Sequence, residues 1–358
     1  MKKTVKITAS SAMIFITAVM GYILFRGGLA ESVSEISAND LLNGGISDKI
    51  TADIAENMPF REYMRSFGAE AGSKIGEPVV NDVYISEERL FDVSEFSLDS
   101  AEIYAAEVNS FAESYSGTVY FAAVPTSTGI YGDGLPSYLF DVTEKKFTEY
   151  LYGELSENIR KIDAYTILKM LSDNNIYCRS DTKWTTYGAY CLYRTVIQKL
   201  GFIPISYDKY SIRHVTDKYY GNLYDRTRYM ECKSDILDIY EYNDGTEIIE
   251  CTGYDSDGVE NNLSLYDTEA VESDNPYNLY LGKTMDFIRI KTTVNNEKSL
   301  LVIGDETADC FIPFLTKHYS EIAFVSADSY MEAIEKYVDT KHYEQALFLV
   351  GLDCIKNY

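Results

Sequence analysis

Leu301-Val302-Ile303-Gly304-Asp305-Glu306-Thr307-Ala308 reads as an apolar strand that runs into a tight turn and then a helix, the repeating unit of an α/β core. A glycine-aspartate-serine turn in such a place presents the nucleophile of an acyl-transfer enzyme, and here Glu306 stands where the serine would be. A second stretch, Ser180-Asp181-Thr182-Lys183-Trp184-Thr185-Thr186-Tyr187-Gly188-Ala189-Tyr190, reads as an Asp-x-His-Trp active-site motif with Lys183 in the histidine place.

Working outward from Leu301, apolar runs at Thr118–Val124, Ile322–Val325 and Ala346–Val350 are continuous rather than alternating, as strands covered on both faces of a parallel sheet are. Between them lie helical patterns. Tyr104, Val108, Phe111 and Tyr115 recur at one-sided spacing, and further helices are predicted over 143–155, through Ile167 and Leu171, from a Thr185 or Thr186 cap to Leu200, over 308–317, and over 330–337. Short strands are predicted at 83–85, 89–91 and 159–162. The alternation implies an α/β core with a parallel sheet flanked by helices. Residues of about 206–296 turn polar and alternating, which reads as a β-rich insertion. Within it, 236–242 and 247–251 around Asn243-Asp244-Gly245 predict a hairpin. No internal repeat or low-complexity tract is evident.

The chain has 358 residues, with 32 Lys+Arg against 56 Asp+Glu for a formal charge of -24. That balance argues against nucleic acid and anionic membrane surfaces, whose phosphates need basic partners. Lys2 and Lys3 precede an apolar run from Ala12 to Phe25, closed by Arg26. With the weakly polar residues in front, this segment approaches the roughly 17 to 20 residues that cross a bilayer. Residues 1–30 are therefore expected to be a signal anchor or a cleaved signal peptide, with Gly28-Leu29-Ala30 as the cleavage alternative. A linker over 31–47 and an extracytoplasmic domain over 48–358 follow, held at the outer face of the membrane or secreted. The six cysteines show no C-x-x-C or Cys/His spacing, so zinc is not expected. They read as small buried thiols, with Cys232 and Cys251 the pair to test for a bridge.

Several further blocks carry a resemblance: Asn57-Met58-Pro59-Phe60-Arg61-Glu62, Val124-Pro125-Thr126 followed by Gly134-Leu135-Pro136, Tyr220-Gly221-Asn222-Leu223, Asn275 to Gly282, and Ile312-Pro313-Phe314-Leu315. Together with the Asp181 and Gly304 motifs, in that order, they resemble the DHHW-motif proteins of bacterial cell envelopes, related to the AlgJ and AlgX alginate O-acetyltransferases. The resemblance spans about residues 50–356. It implies an SGNH-hydrolase-like domain in which the serine takes an acyl group, the histidine is its base and the aspartate orients the histidine. Asp181 then matches the aspartate and Trp184 the tryptophan, while Lys183 replaces the base and Glu306 the nucleophile. Trp184, Asp305, Thr126 and Tyr220 are expected to line or bind at the site. The resemblance also implies a polysaccharide or other glycan ligand and a membrane-bound O-acyltransferase partner. No cofactor or metal is expected.

A carboxylate at 306 would form an anhydride rather than an ester, and an ammonium at 183 stays protonated unless strongly desolvated. An ion pair between the two would satisfy both charges. Triad catalysis is therefore expected to be lost, leaving a binding or assembly role in polysaccharide O-acetylation. The alternative is an active O-acetyltransferase or acetyl esterase with a rearranged site. Among other groups, His214, His318 and His342 are available, and His318 would need to reach back about three helical turns to serve as base, so it reads as a surface or helix-end histidine. Asp305 or Asp181 with Glu306 forms a conceivable glycoside-hydrolysis pair, and Asp255-Ser256-Asp257-Gly258 lacks the later ligands of a calcium loop. The 32 tyrosines suit glycan stacking as well as ordinary packing.

Overall fold

The structure, a computed structural model, describes residues 78–283 and 285–358. The expectations for the anchor, the linker and the Asn57–Glu62 block lie outside the described residues. Three antiparallel strands, β1 (Val79–Val80), β2 (Val83–Ile85) and β3 (Leu90–Asp92), lead into helix α1 (Leu98–Ser114). There follow β4 (Thr118–Val124), α2 (Ser127–Tyr131), α3 (Glu144–Glu154), β5 (Arg160–Lys161), α4 (Ala164–Lys169) and α5 (Thr186–Lys199). The middle of the chain gives β6 (Ser211–Tyr219), α6 (Asn222–Thr227), β7 (Asp235–Glu241), β8 (Ile248–Tyr254), β9 (Glu260–Asn262) and β10 (Phe287–Thr292). The last third is β11 (Ser299–Gly304), α7 (Glu306–Asp309), α8 (Ile312–Leu315), β12 (Glu321–Ser326), α9 (Tyr330–Tyr337), β13 (Gln345–Gly351) and α10 (Leu352–Ile355).

An eight-stranded sheet ordered β5-β4-β13-β11-β12-β10-β8-β9 forms the centre. Its first five strands are mutually parallel, as the continuous apolar runs predict. The rest depart from the expected parallel sheet: β10, β8 and β9 each run antiparallel to the preceding neighbour, so the sheet is mixed. Alternate residues of each central strand feed two cores. Tyr120, Val302, Phe324 and Leu349 pack beneath α4, α5 and α8, while Phe121, Ile303, Val325 and Phe348 pack beneath α1, α3 and α9. This double cover is why β4, β11 and β13 carry no polar face.

The expected hairpin at Asn243-Asp244-Gly245 does not form. β7 pairs with β6 in a separate two-stranded sheet, and β8 crosses to pair with β10 in the central one. Gly245 does take the left-handed conformation of a turn residue, so the turn chemistry is present while the partners differ. The helix expected over 308–317 is split between Asp309 and Ile312, with Pro313 in the first turn of the second piece, where its missing N–H is tolerated. All six cysteines are free thiols, and Cys232 and Cys251 are not bridged.

Candidate functional site

The site lies where β11, β12 and β13 end, beyond their carboxyl ends, the usual place for ligands in open α/β sheets. A cleft of about 370 Å³ opens there, floored by Gly304 and Phe324 and walled by Lys183, Glu306, Thr307 and Asp309. Two motif loops meet at it. The loop before α5 is held by an antiparallel bridge between Tyr177 and Trp184, and Cys178 N–H donates to the Lys183 carbonyl at 3.1 Å. Thr185 caps α5 by accepting from Gly188 N–H at 3.2 Å. These contacts project Lys183 toward the turn after β11.

Lys183 Nζ lies 2.8 Å from Glu306 Oε2 and 4.0 Å from Asp181 Oδ1. It also sits 5.3 Å above the Tyr277 ring, a cation–π contact. Burial would depress the Lys183 pKa, but the Asp181 and Glu306 carboxylates outweigh it and raise it above the ordinary lysine value. The group therefore stays an ammonium and has no lone pair to act as a base. Asp181 is 1% exposed and stands behind Lys183 rather than in the cleft. Its Oδ1 accepts from Lys183 N–H at 3.2 Å, and its Oδ2 accepts from the Tyr219 hydroxyl. The backbone of Gly221 presses so close that a Cβ there would stand 2.1 Å from Asp181 Oδ2.

Asp305 is half-buried and does not cap α7 with its side chain. Its Oδ1 instead accepts from Gly351 N–H at 3.0 Å and its Oδ2 from the Thr307 hydroxyl at 3.0 Å. Burial, then repulsion from Asp353, raises its carboxyl well above the usual carboxylate range. A Cβ on Gly351 would meet Asp353 Oδ1 and Thr307 Oγ1 at 2.6 Å each and Asp305 Oδ2 at 2.9 Å, so the tips of three side chains close over this glycine. Asp309 also lines the cleft, and burial followed by Glu306 and Asp305 raises its pKa strongly. Trp184 lies beneath, fully buried, stacked on Phe311 at 6.1 Å and donating from Nε1 to the Thr307 carbonyl at 2.9 Å.

Of the residues expected at the site, Lys183, Glu306 and Asp305 line the cleft, and Asp181 and Trp184 support it from behind. Thr126 and Tyr220 are not among its lining residues. Thr126 caps α2 and its N–H donates to Glu144 Oε2 at 2.9 Å, while Tyr220 packs its ring against that of Tyr224 at the surface, with centres 4.4 Å apart and planes tilted by 37°. No histidine lines the cleft either. His318, expected at a surface or helix end, is 7% exposed, its Nε2 lies 2.6 Å from the Tyr193 hydroxyl, and burial lowers its pKa to about 4. Asp255 closes its own turn by accepting from Val259 N–H. Asp309, Asp353 and Tyr219 stand in none of the quoted motifs, and Tyr277 lies in the 275–282 block with no site role expected of it. The first lies a helical turn beyond Glu306, which is a usable signal, but the other three come from distant segments joined only by the fold.

A profile of the DHHW protein family matches residues 51–325. Among solved structures, a DHHW family protein from Eubacterium siraeum is 20% identical with a TM-score of 0.61, the match covering 78% of this chain and 95% of that one. A structure of Bacillus cereus PatB1 with a sulfonyl adduct is 17% identical with a TM-score of 0.63, covering 76% and 95%. The O-acetyltransferase domain of Pseudomonas putida AlgJ is 12% identical with a TM-score of 0.47, covering 77% and 92%, too loose to carry residue correspondences. A search of curated protein sequences returns no match. At such identities the structural likeness establishes the fold alone, whereas the family profile spans most of the chain: this protein belongs to the DHHW protein family.

Proposed function

We propose that the chain is an extracytoplasmic, membrane-tethered member of its family that binds polysaccharide and assists its O-acetylation without itself carrying the acyl group. The observation behind this is the 2.8 Å contact between Lys183 and Glu306. Acyl transfer through an enzyme-bound ester needs a hydroxyl beside a base whose pKa lies near neutrality. Here the two places are filled by a carboxylate and a permanently charged ammonium that neutralise each other. What remains is a polar cleft floored by Phe324, and polar groups convergent in a concave site favour ligand binding. The envelope location, glycan ligand and O-acyltransferase partner rest on family membership and on the apolar N-terminal run.

The test is acetyl-ester hydrolysis by the purified chain against a Glu306→Ser plus Lys183→His variant. The unaltered chain is expected to be silent and the variant to gain turnover. Turnover by the unaltered chain that disappears on Glu306→Ala overturns the proposal.

A second reading, a rearranged active site, has one observation in its favour. The Thr307 hydroxyl donates to Asp305, whose carboxyl is raised toward neutrality and so suits a general base. If the unaltered chain turns over ester and Thr307→Val abolishes it, this second reading holds instead.

A further inference from the structure

The two strands that leave the Asn243-Asp244-Gly245 turn part company, β7 joining β6 and β8 joining β10, and a groove opens between them. It consists of two cavities of about 620 and 650 Å³ that share Glu241, Leu265 and Tyr266 in their linings. The chain over 262–266 spans from one wall to the other. Leu263 N–H donates to the Cys251 carbonyl of β8 at 2.8 Å, and the Tyr266 hydroxyl donates to the Tyr240 carbonyl of β7 at 3.1 Å. At the turn end, Lys317 Nζ donates to Asp244 Oδ1 and to the Thr246 carbonyl at 3.2 Å each. Both walls are thus fixed before any ligand arrives, which lowers the ordering cost of binding.

The lining suits sugars. Tyr242 and Tyr266 are half-buried and present rings, while Ser211, Asn243 and Thr246 add hydroxyl and amide groups around them. An aromatic face with polar groups at its edge matches a sugar, whose C–H face is apolar and whose rim carries hydroxyls. Charge does not oppose this. Lys209, Arg213 and Lys317 line the groove against Glu241 and Glu250, although the chain as a whole carries a formal charge of -24. A peptide adding as a strand is less well served, because from Cys251 to Tyr254 the edge of β8 away from β10 is already taken by Leu263 and β9.

The groove also abuts the cleft. Leu263 lines the groove and Met285 the cleft, and the two meet over Gly253, where a Cβ would stand 2.7 Å from Leu263 Cδ1 and 2.8 Å from Met285 Cγ. A single sugar can fill one of these places, but only a polymer reaches across both. We infer that the groove is a second carbohydrate subsite, which grips successive sugars of a polysaccharide strand by their faces on Tyr242 and Tyr266 while the strand runs on to the Lys183–Glu306 cleft. This rests on the glycan-binding reading above and adds where the strand is gripped.

The test is hydrogen–deuterium exchange, read by mass spectrometry on the full chain in detergent, with two neutral probes: the N-acetylglucosamine hexamer and the β-1,4-linked glucose hexamer. Segments 240–246 and 262–268 report the groove, and segments 180–185 and 304–309 report the cleft. At least one hexamer is expected to slow exchange in both pairs of segments, and its dimer to protect them less. Tyr242→Ala is expected to weaken binding of that hexamer about three- to tenfold by titration calorimetry. Tyr242→Phe, which keeps the ring, and Tyr138→Ala, on an exposed tyrosine outside the groove, are expected to retain it. Protection confined to the cleft segments, or an affinity untouched by Tyr242→Ala, overturns the inference while leaving glycan binding intact. Protection of the groove segments alone upholds the inference and removes the cleft from the glycan reading. Protection of neither by either hexamer sinks both. The exchange measurement on the unaltered chain needs no variant to fold.

Discussion

Trp184 and Thr307 join the two motif loops: the buried indole N–H donates to the Thr307 carbonyl at 2.9 Å across 123 residues of sequence. The same indole stacks on Phe311 of the segment linking α7 to α8. The tryptophan thus fixes where the turn after β11 stands relative to Lys183. Trp184→Phe keeps most of the apolar volume but leaves the Thr307 carbonyl without its donor in a dry site. The expected cost is about 1 to 3 kcal/mol of unfolding free energy, read as a lower denaturation midpoint with an unchanged slope. A midpoint equal to that of the unaltered chain would show that the bond contributes nothing.

Lys183 and Glu306 are unequal partners, because the Lys183 side chain is 13% exposed and that of Glu306 is 41% exposed. Glu306→Gln leaves the ammonium beside Asp181, and the lost attraction is screened by solvent. Its expected cost is below about 1 kcal/mol. Lys183→Met leaves Asp181 buried without its cation, for which about 3 kcal/mol is expected. Denaturant unfolding of both single variants and the double variant separates the contributions. Equal losses from the two single changes would mean that Asp181 does not depend on Lys183.

The parallel half of the sheet was legible because β4, β11, β12 and β13 are buried on both faces and so leave uninterrupted apolar runs. The antiparallel half was not. Asn243-Asp244-Gly245 has the right turn residues, but hairpin logic cannot see that β8 finds a better-covered partner in β10 than in its sequence neighbour β7. At the site, the pairing of residues 183 and 306 followed from motif position and charge together, since two opposite charges in facing motif positions have an obvious mutual solution. Thr126 and Tyr220 fell outside the cleft because short motif blocks do not distinguish lining residues from helix caps or surface ring contacts.

Gly221 is a site of close approach rather than a hinge. A methyl group there would lie 2.1 Å from Asp181 Oδ2 and 2.4 Å from its Cβ and Cγ, and Asp181 cannot yield easily because the Tyr219 hydroxyl holds it from another side. Gly221→Ala is expected to cost about 2 to 3 kcal/mol, the range for overpacking a tight interior. It should also enhance proteolysis in the loop before α5. A variant as stable as the parent would show that the 180–183 loop shifts freely.

Glu144 supplies a pH dependence remote from the cleft. It is 6% exposed, and its carboxyl accepts from the backbone N–H of Thr126 and pairs with the Thr126 hydroxyl. Burial, against the opposing pull of those hydrogen bonds, pushes its pKa from the ordinary 4.5 up to about 7. The folded-state value thus stands above the unfolded one, so the folded chain holds a proton that the unfolded chain has released. The stabilisation is fully present below the ordinary value and is lost as pH rises through about 7. A displacement of that size corresponds to roughly 3 kcal/mol. Asp92 works in the opposite sense: its pKa is lowered, as Lys356, Ser94 and Arg226 outweigh its burial. Its stabilisation is lost only on acidification below the ordinary aspartate value, outside the Glu144 window. The buried His318, with its pKa lowered to about 4, opposes this by losing stability as pH falls below the ordinary histidine value, but Asp305 and Asp309 act with Glu144, so denaturant unfolding at pH 5 and pH 8 is expected to show the chain more stable at pH 5. Glu144→Gln imitates the protonated form and is expected to reduce that difference, leaving the part that the raised carboxyls of Asp305 and Asp309 contribute in the same direction, whereas a difference unchanged in the variant would show that Glu144 contributes none of it.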